Sequence, residues 1–487
     1  MRMQSHQLNA STMPGTLIRP RAVRPGTVSH RGGIGLPSRT ETLAIRGKHW
    51  LAFAGVYLFT LLLYARPNDL FPGLGSFPLV KIVAIGALMA YIASKAASGE
   101  RLSVWTKEMT MLLVIMALGL ILAPVAASPS DSLNTLSDPF LKTVIIFILM
   151  VNLIDTRQRI FSMWKLVVIC GSALGLDAIK SYARGEFTAR GVRIEGLVGG
   201  MFGNPNDLAT ALVVLLPFAI FLALSSKGVA RLFYLGCAAI MTIATLVTFS
   251  RGGFLGLIAM GGVLLWKLGR GRRFRTLLAS ALICGILFVV TPGGYGSRIS
   301  TIFNIEEDET GSAQERRELM ELAASMAIRR PIVGVGMGNF HIYSIHEKQA
   351  HNSYLEIAAE LGVMGLIAYL IVILAPLRSL RRIERKTKAM ESESDTEMYR
   401  LSVCIQAALI AYMVCSFFAS IQYLWYLYYT AAYAVALRQI HKAEELENAT
   451  SPGEILKAPA YSKQTRGTLW QSVWDRTGRS VVRVRNG

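Results

Sequence analysis

Two short polar strings interrupt the apolar runs of this chain and carry groups suited to chemistry. Phe249-Ser250-Arg251-Gly252-Gly253 sets a permanently charged guanidinium between two apolar stretches. A guanidinium binds phosphate oxygens in bidentate fashion, and the glycine pair leaves room beside it for a ligand or a close helix. The competing reading is an interfacial arginine reaching toward lipid headgroups. His351-Asn352-Ser353-Tyr354-Leu355-Glu356 places an imidazole, which can take a proton near neutral pH, at a helix start. Asn352, Glu356 and Glu360 then recur at i, i+4 and i+8, on one helix face. Either the imidazole and these carboxylates activate a hydroxyl, or the carboxylates set the helix's packing. Charge at membrane depth is costly, so it marks places where something is bound or made.

The elements that hold these strings are membrane helices. Over 487 residues the mean hydropathy is +0.42, with 52% hydrophobic and 17% charged residues. A soluble domain does not have that balance. The apolar runs have no period-2 alternation, which leaves an all-α, polytopic integral membrane protein. We read about twelve transmembrane segments, near 50–65, 78–97, 109–127, 139–154, 160–178, 207–225, 231–249, 252–267, 275–291, 355–376, 400–419 and 422–438. One set of loops is basic: Lys95, Arg101 and Lys107; Arg157 and Arg159; Lys227 and Arg231; Lys267 to Arg275; Arg378 to Lys388. The alternate set is nearly free of Lys and Arg at 66–77, 128–138 and 420–421. The positive-inside rule then places both termini in the cytoplasm and both polar strings on the opposite face. The formal charge of +20 is thereby explained by topology, and a nucleic-acid partner is not expected.

Two outer loops break the pattern. The 179–206 loop carries Lys180, Arg184, Arg190 and Arg193, either as an anion site or as a solvated loop balanced by Glu186 and Glu195. The large loop, 292–354, lies between segments nine and ten. Within it, Ser312 to Arg330 predicts a polar helix ending before Pro331, followed by the glycine-rich turn Gly334 to Phe340. That turn lacks the Lys-Ser/Thr and the strand–helix setting of a nucleotide P-loop. The five cysteines all fall in apolar runs, without metal-ligand spacing, so neither a metal nor a cofactor is expected. Residues 1–48 form a basic tail read as disordered, without the apolar core of a cleavable signal, and residues 441–487 form a second tail. Residues 49–440 make up the membrane domain.

Ser250-Arg251-Gly252-Gly253, Arg316, Pro331 to Phe340, and His351-Asn352-Ser353-Tyr354-Leu355 with Gly362 occur in an order that resembles the O-antigen ligase and Wzy-type polymerase superfamily of bacterial envelope glycosyltransferases. Gly203-Asn204-Pro205-Asn206-Asp207 resembles that family's Asn-rich string. The resemblance implies a GT-C-like membrane fold in the inner membrane, with its active site on the periplasmic face. It also implies metal-independent transfer of a glycan from a polyprenyl-pyrophosphate donor to an acceptor hydroxyl on a lipid, protein or glycan. Carried over by motif, Arg251, Arg316 and His351 are the catalytic candidates. Arg317, Asn352, Glu356, Asn204, Asn206, Arg190 and Arg193 are the substrate-binding ones. Ligase and repeat-unit polymerase share these residues. A polysaccharide transporter, the reading from another class, calls for inverted repeats and broken helices near the midplane, and no clear repeat is present.

Overall fold

Long apolar runs punctuated by Ser, Thr or Asn caps fold here into helices, and every regular element among the described residues is helical. A computed structural model describes residues 49–67, 78–186, 202–269, 312–388 and 392–450. In chain order the helices are α1 (Trp50–Ala65), α2 (Leu79–Ser98), α3 (Lys107–Leu122), α4 (Pro129–Thr135), α5 (Leu141–Leu153), α6 (Arg157–Ala183) and α7 (Pro205–Ser225). They continue with α8 (Gly228–Val247), α9 (Arg251–Leu268), α10 (Ser312–Arg329), α11 (Phe340–Tyr343), α12 (Ser353–Thr387), α13 (Glu393–Cys415) and α14 (Trp425–Thr450). Nine spans among the described residues are long and apolar enough to cross a membrane, and α1 is a shorter apolar helix. The expected segment 275–291 and the residues Arg190 and Arg193 lie outside the described residues, as do 1–48 and 451–487.

Helix α7 is the hub, buried along nearly its whole length and packed by α6, α8, α9 and α13. Small and aromatic residues make that possible: Trp164 stacks on Phe218 with ring centroids 4.4 Å apart, and Tyr433 meets Phe218 edge-on. At the periphery the pattern inverts. Helix α2 buries only Ala87 and Tyr91, and it leaves Ile82, Ile85, Met89 and Ile92 exposed. Such a belt is what hydrocarbon would cover, since lipid is as apolar as the side chains facing it.

The basic loops gather at one end of the bundle, where they meet carboxylates. Arg438 grips the fully buried Glu108 with two bonds of 2.8 and 3.0 Å. Arg157 reaches Glu397 at 2.9 Å and Glu444 at 2.8 Å. Lys267 bridges Glu384 and the amide of Gln406. These partners correct two boundaries. Helix α12 does not stop near 376 but continues to Thr387, because Leu380, Ile383 and Thr387 keep a buried face while Arg381, Arg382 and Arg385 stay exposed. Helix α14 likewise runs past 440 to Thr450, tied by Glu444 to Arg157 and by Glu445 to Lys386.

At the other end, α12 is broken at Gly362, whose backbone is left-handed (φ 68°, ψ −169°). The break frees the Ala359 and Glu360 carbonyls, which then accept from Val335 N at 2.9 Å and Gly336 N at 3.0 Å. In return Val363 N donates to Pro331 O at 2.8 Å. The glycine-rich strap 331–338 is therefore inserted into the helix ladder, and its far side is fastened to α4. There Asn339, fully buried, accepts from Ser128 N and donates to Ser132 Oγ. A side chain at 362 would sit 2.5 Å from the Pro331 oxygen in a conformation that only glycine adopts readily. Gly362→Ala is expected to cost about 1–3 kcal/mol from the backbone alone. It should lower the thermal midpoint of the purified protein, whereas Gly261→Ala, with nothing within 4 Å, should not.

Candidate functional site

Three helix N-termini carry the polar strings, and side-chain bonds stitch them to one another. Helix α9 starts at Arg251, capped by Ser250, whose Oγ accepts from Gly253 N at 3.2 Å. The same hydroxyl donates to Asn206 Oδ1 at 2.9 Å, on the first turn of α7. Helix α7 is itself capped by Asn204, which accepts from Asn206 N at 2.8 Å. Two strings 44 residues apart in sequence are thus hydrogen-bonded within a buried contact. The glycines of the first string allow the approach. A Cβ at Gly253 would lie 2.6 Å from Ala209 of α7, and one at Gly252 would lie 2.8 Å from Phe418, just past α13.

Helix α12 starts after Asn352, whose Oδ1 accepts from Tyr354 N at 3.0 Å and Leu355 N at 3.1 Å. Its first residue docks on the α13–α14 connection. Ser353 N donates to Ser416 O at 2.9 Å, and Ser353 Oγ donates to Ala419 O at 2.7 Å. That connection runs from 416 to 424 without regular helix, longer than the two-residue loop expected at 420–421. It touches Gly252 on one side and Ser353 on the other, and so links the starts of α9 and α12.

Glu356 and Glu360 are buried at 3% and 1% exposure, and neighbouring loops spend their oxygens. Glu356 accepts from Ala350 N at 2.8 Å, from Gln422 Nε2 at 2.9 Å and from Ser420 Oγ. Glu360 accepts from Phe340 N at 3.2 Å and from Tyr423 OH at 2.8 Å. Among the two readings of this face, the geometry gives both carboxylates a packing role: they hold the loops on either side of the imidazole string. His351 itself is half-buried, with a left-handed backbone at φ 53°.

The arginine doublet divides. Helix α10 packs on α12 through Leu319 and Ala323, with Phe340 of α11 and the loop residue Ala350. Arg316 is half-buried, one turn before Met320, whose sulfur lies 3.9 Å from Asn352 Nδ2. Arg317 is exposed and paired with Glu321 at 2.9 Å along its own helix. A salt bridge from Lys348 to Glu315 ties the segment before His351 to the same helix.

Beside these strings opens a cleft of about 460 Å³. Asp131 and Thr135 of α4, Asp207 of α7, His341, Gln349, Glu356 and Glu360 line it, with Ser420 to Leu424 closing one wall. Neither Arg251, Arg316 nor His351 is among its lining residues, but its neighbours are: Asp207 follows Asn206, and Gln349 lies two residues before His351. The sequence gives no periodic or motif signal for Asp131, His341 or the 416–424 connection, because each acts through a contact distant in sequence. Among the described residues no grouping of His, Cys, Asp and Glu has metal-binding geometry, and Cys170, Cys237, Cys404 and Cys415 are free and buried.

Replacing Glu356 by Ala strips the acceptor from Ala350 N, Ser420 Oγ and Gln422 Nε2. Each buried donor left unmatched costs about 1–3 kcal/mol. Glu356→Ala is expected to lower folded yield and thermal midpoint sharply, with Glu356→Gln intermediate, measured by size-exclusion chromatography and thermal unfolding in detergent.

Against known proteins, residues 236–370 match the family model described as O-antigen ligase. The match runs from α8 through the strap to the middle of α12, so it contains Arg251, Arg316, His351 and Gly362. The resemblance to the O-antigen ligase and Wzy-type superfamily therefore holds over this stretch. No curated protein matches the chain.

Proposed function

We propose that this membrane protein, with an O-antigen ligase domain at residues 236–370, transfers a glycan from a polyprenyl-pyrophosphate donor to an acceptor hydroxyl. The observation that carries the reading is the bond between the α7 and α9 starts, Ser250 to Asn206, with the 416–424 connection linking the start of α9, which Arg251 opens, to that of α12. Each N-terminus carries the partial positive charge of its helix dipole, which attracts a phosphate group. A pyrophosphate placed at the start of α9 meets both the positive end of that dipole and the Arg251 guanidinium. In a partly dry site these fixed charges stabilise the leaving group as it forms.

In this mechanism the acceptor oxygen attacks the anomeric carbon, and the bond from that carbon to the pyrophosphate oxygen breaks. The pyrophosphate leaves with the electron pair, held by Arg251 together with Arg316 of α10. His351 takes the proton of the hydroxyl. The linkage already carries the driving force, so no nucleotide, metal or other cofactor enters. Anchoring the donor in lipid confines its headgroup to the membrane surface, which supplies positioning. Asn352, Asn204 and Asn206 support the site by fixing the helix starts. Arg190 and Arg193 are candidates for the anionic headgroup, and the basic loops support a site on the periplasmic face of the inner membrane, with both termini cytoplasmic.

His351→Ala and Arg251→Ala are expected to abolish transfer while leaving abundance and membrane insertion unchanged. Arg251→Lys should lose most activity, since an ammonium cannot make the bidentate contact. Arg316→Ala should be far more damaging than Arg317→Ala. Full activity in Arg251→Lys, or inhibition of purified enzyme by EDTA, would sink the metal-free arginine mechanism.

Ligase and polymerase differ only in the acceptor. A gel and mass-spectrometric profile of a strain lacking the protein separates them. Long chains accumulating on polyprenyl pyrophosphate, with bare acceptors, identify a ligase. Acceptors capped with one repeat unit and no long chains anywhere identify a polymerase.

A further inference from the structure

We propose that the cavity between α9 and α12 at the basic end of the bundle is a binding site for the headgroup of an acidic phospholipid. The inference stands apart from the transferase reading and from the residues assigned to it. The cavity measures about 260 Å³ and is lined by Trp266, Lys267, Arg381, Glu384 and Arg385. Its floor is fixed from within the protein. Lys267 Nζ pairs with Glu384 and donates to Gln406 Oε1 at 2.9 Å, while Gln406 Nε2 donates to Glu384 at 3.1 Å. Tyr399 OH donates to the Lys267 carbonyl at 2.7 Å, which holds the end of α9 on α13.

Charge then decides what the cavity takes. Lys267, Arg381 and Arg385 set three cations against the single carboxylate of Glu384, which leaves two positive charges. Glu384 is spent on Lys267 and Gln406, so the surplus rests on the two guanidinium groups. Arg381 and Arg385 stand one helical turn apart, both exposed, and neither forms an ion pair among the described residues. Like charges at that spacing repel, and a phosphate between them turns the repulsion into charge-assisted bonds. The negative end of the α12 dipole and the topology rule each favour cations at this end of the helix. Neither accounts for their gathering with a lysine and an indole around one cavity.

Place selects a lipid over a soluble anion. On α9, Ile258, Gly262 and Trp266 are exposed at i, i+4 and i+8, so the membrane-facing stripe of that helix runs into the cavity. Trp266 is 68% exposed, and an indole suits the boundary between hydrocarbon and headgroups. Gly262 leaves the stripe open, since a Cβ there would meet nothing within 4 Å. A lipid whose chains lie along this stripe brings its phosphate to Arg381 and Arg385. The volume falls below the roughly 300 Å³ at which drug-sized sites begin, in keeping with a guest whose chains stay outside. Basic pockets between membrane helices are where acidic headgroups bind.

The test is native mass spectrometry of the delipidated full-length protein, titrated with phosphatidylglycerol, phosphatidylcholine and glycerol phosphate. Phosphatidylglycerol is expected to bind at least about tenfold more tightly than either of the others. Arg381→Gln with Arg385→Gln should weaken it about thirtyfold, the share of two basic side chains at a membrane surface. Arg382→Gln with Lys388→Gln removes the same charge from exposed positions outside the cavity, and should weaken it less than about threefold because water and salt screen them. A second measurement needs no arginine variant. Dibrominated phosphatidylglycerol in nanodiscs is expected to quench Trp266, read as the difference between wild type and Trp266→Phe, more than dibrominated phosphatidylcholine does at equal mole fraction. Equal affinity for the two lipids, equal loss in the two double variants, or equal quenching overturns the site. Glycerol phosphate bound as tightly as phosphatidylglycerol overturns the lipid and assigns the cavity to a soluble phosphate ester.

Discussion

The arrangement depends on two carboxylates one helical turn apart, Glu356 and Glu360, buried in the first turns of α12. A buried carboxylate is tolerated only when its oxygens are spoken for, and here the acceptors are served by backbone and side chains from the segment before His351, the strap before Phe340 and the α13–α14 connection. Apart from Phe340, which opens the short helix α11, none of these donors lies in regular secondary structure. Without the carboxylates each would be free to find its own conformation. The pair therefore converts three loops into one rigid wall, and the imidazole string is part of that wall.

The break at Gly362 follows from the same geometry. Two helical carbonyls released by the kink must be paired, and the strap pairs them with its amides. The strap in turn carries Asn339, which fixes α4, and α4 contributes Asp131 and Thr135 to the cleft. A single glycine conformation is thus transmitted from the interior of a long helix to the far rim of the cleft. The cleft thus gathers side chains from α4, α7, α12 and the α13–α14 connection.

Much of this was legible in the sequence, for physical reasons. Helices declared themselves by hydrophobic run length, and eleven of the twelve expected segments coincide with described helices; 275–291 lies outside them. The α10 helix ended before Pro331 as expected, because proline disfavours helix in the residue before it. The caps Asn204, Ser250 and Asn352 were visible as polar residues ahead of apolar runs. What stayed hidden was long-range. Nothing near Ser420, Gln422 or Tyr423 reveals that they serve carboxylates more than 60 residues away. The reach of α12 to Thr387 was obscured because a charged helix and a charged loop have the same composition; only the buried stripe of Leu380, Ile383 and Thr387 tells them apart.

Strain marks the same places that the motifs do. Phe249 and His351 both adopt left-handed backbone, at φ 51° and 53°, and a bulky side chain pays for that conformation. Each residue stands at or just before a helix start carrying a group assigned to the reaction. Phe249 turns the chain so that α9 begins immediately after α8 ends, which brings Ser250 onto Asn206 and sets Arg251 at the helix's first position. His351 turns it so that Asn352 can cap α12 while Ala350 N reaches back to Glu356. A relaxed backbone at either point would need additional residues to make the same turn, and the added length would separate the helix start from its neighbours. The strain is what keeps the guanidinium and the imidazole on short, rigid connections, so that the site is assembled before any ligand arrives.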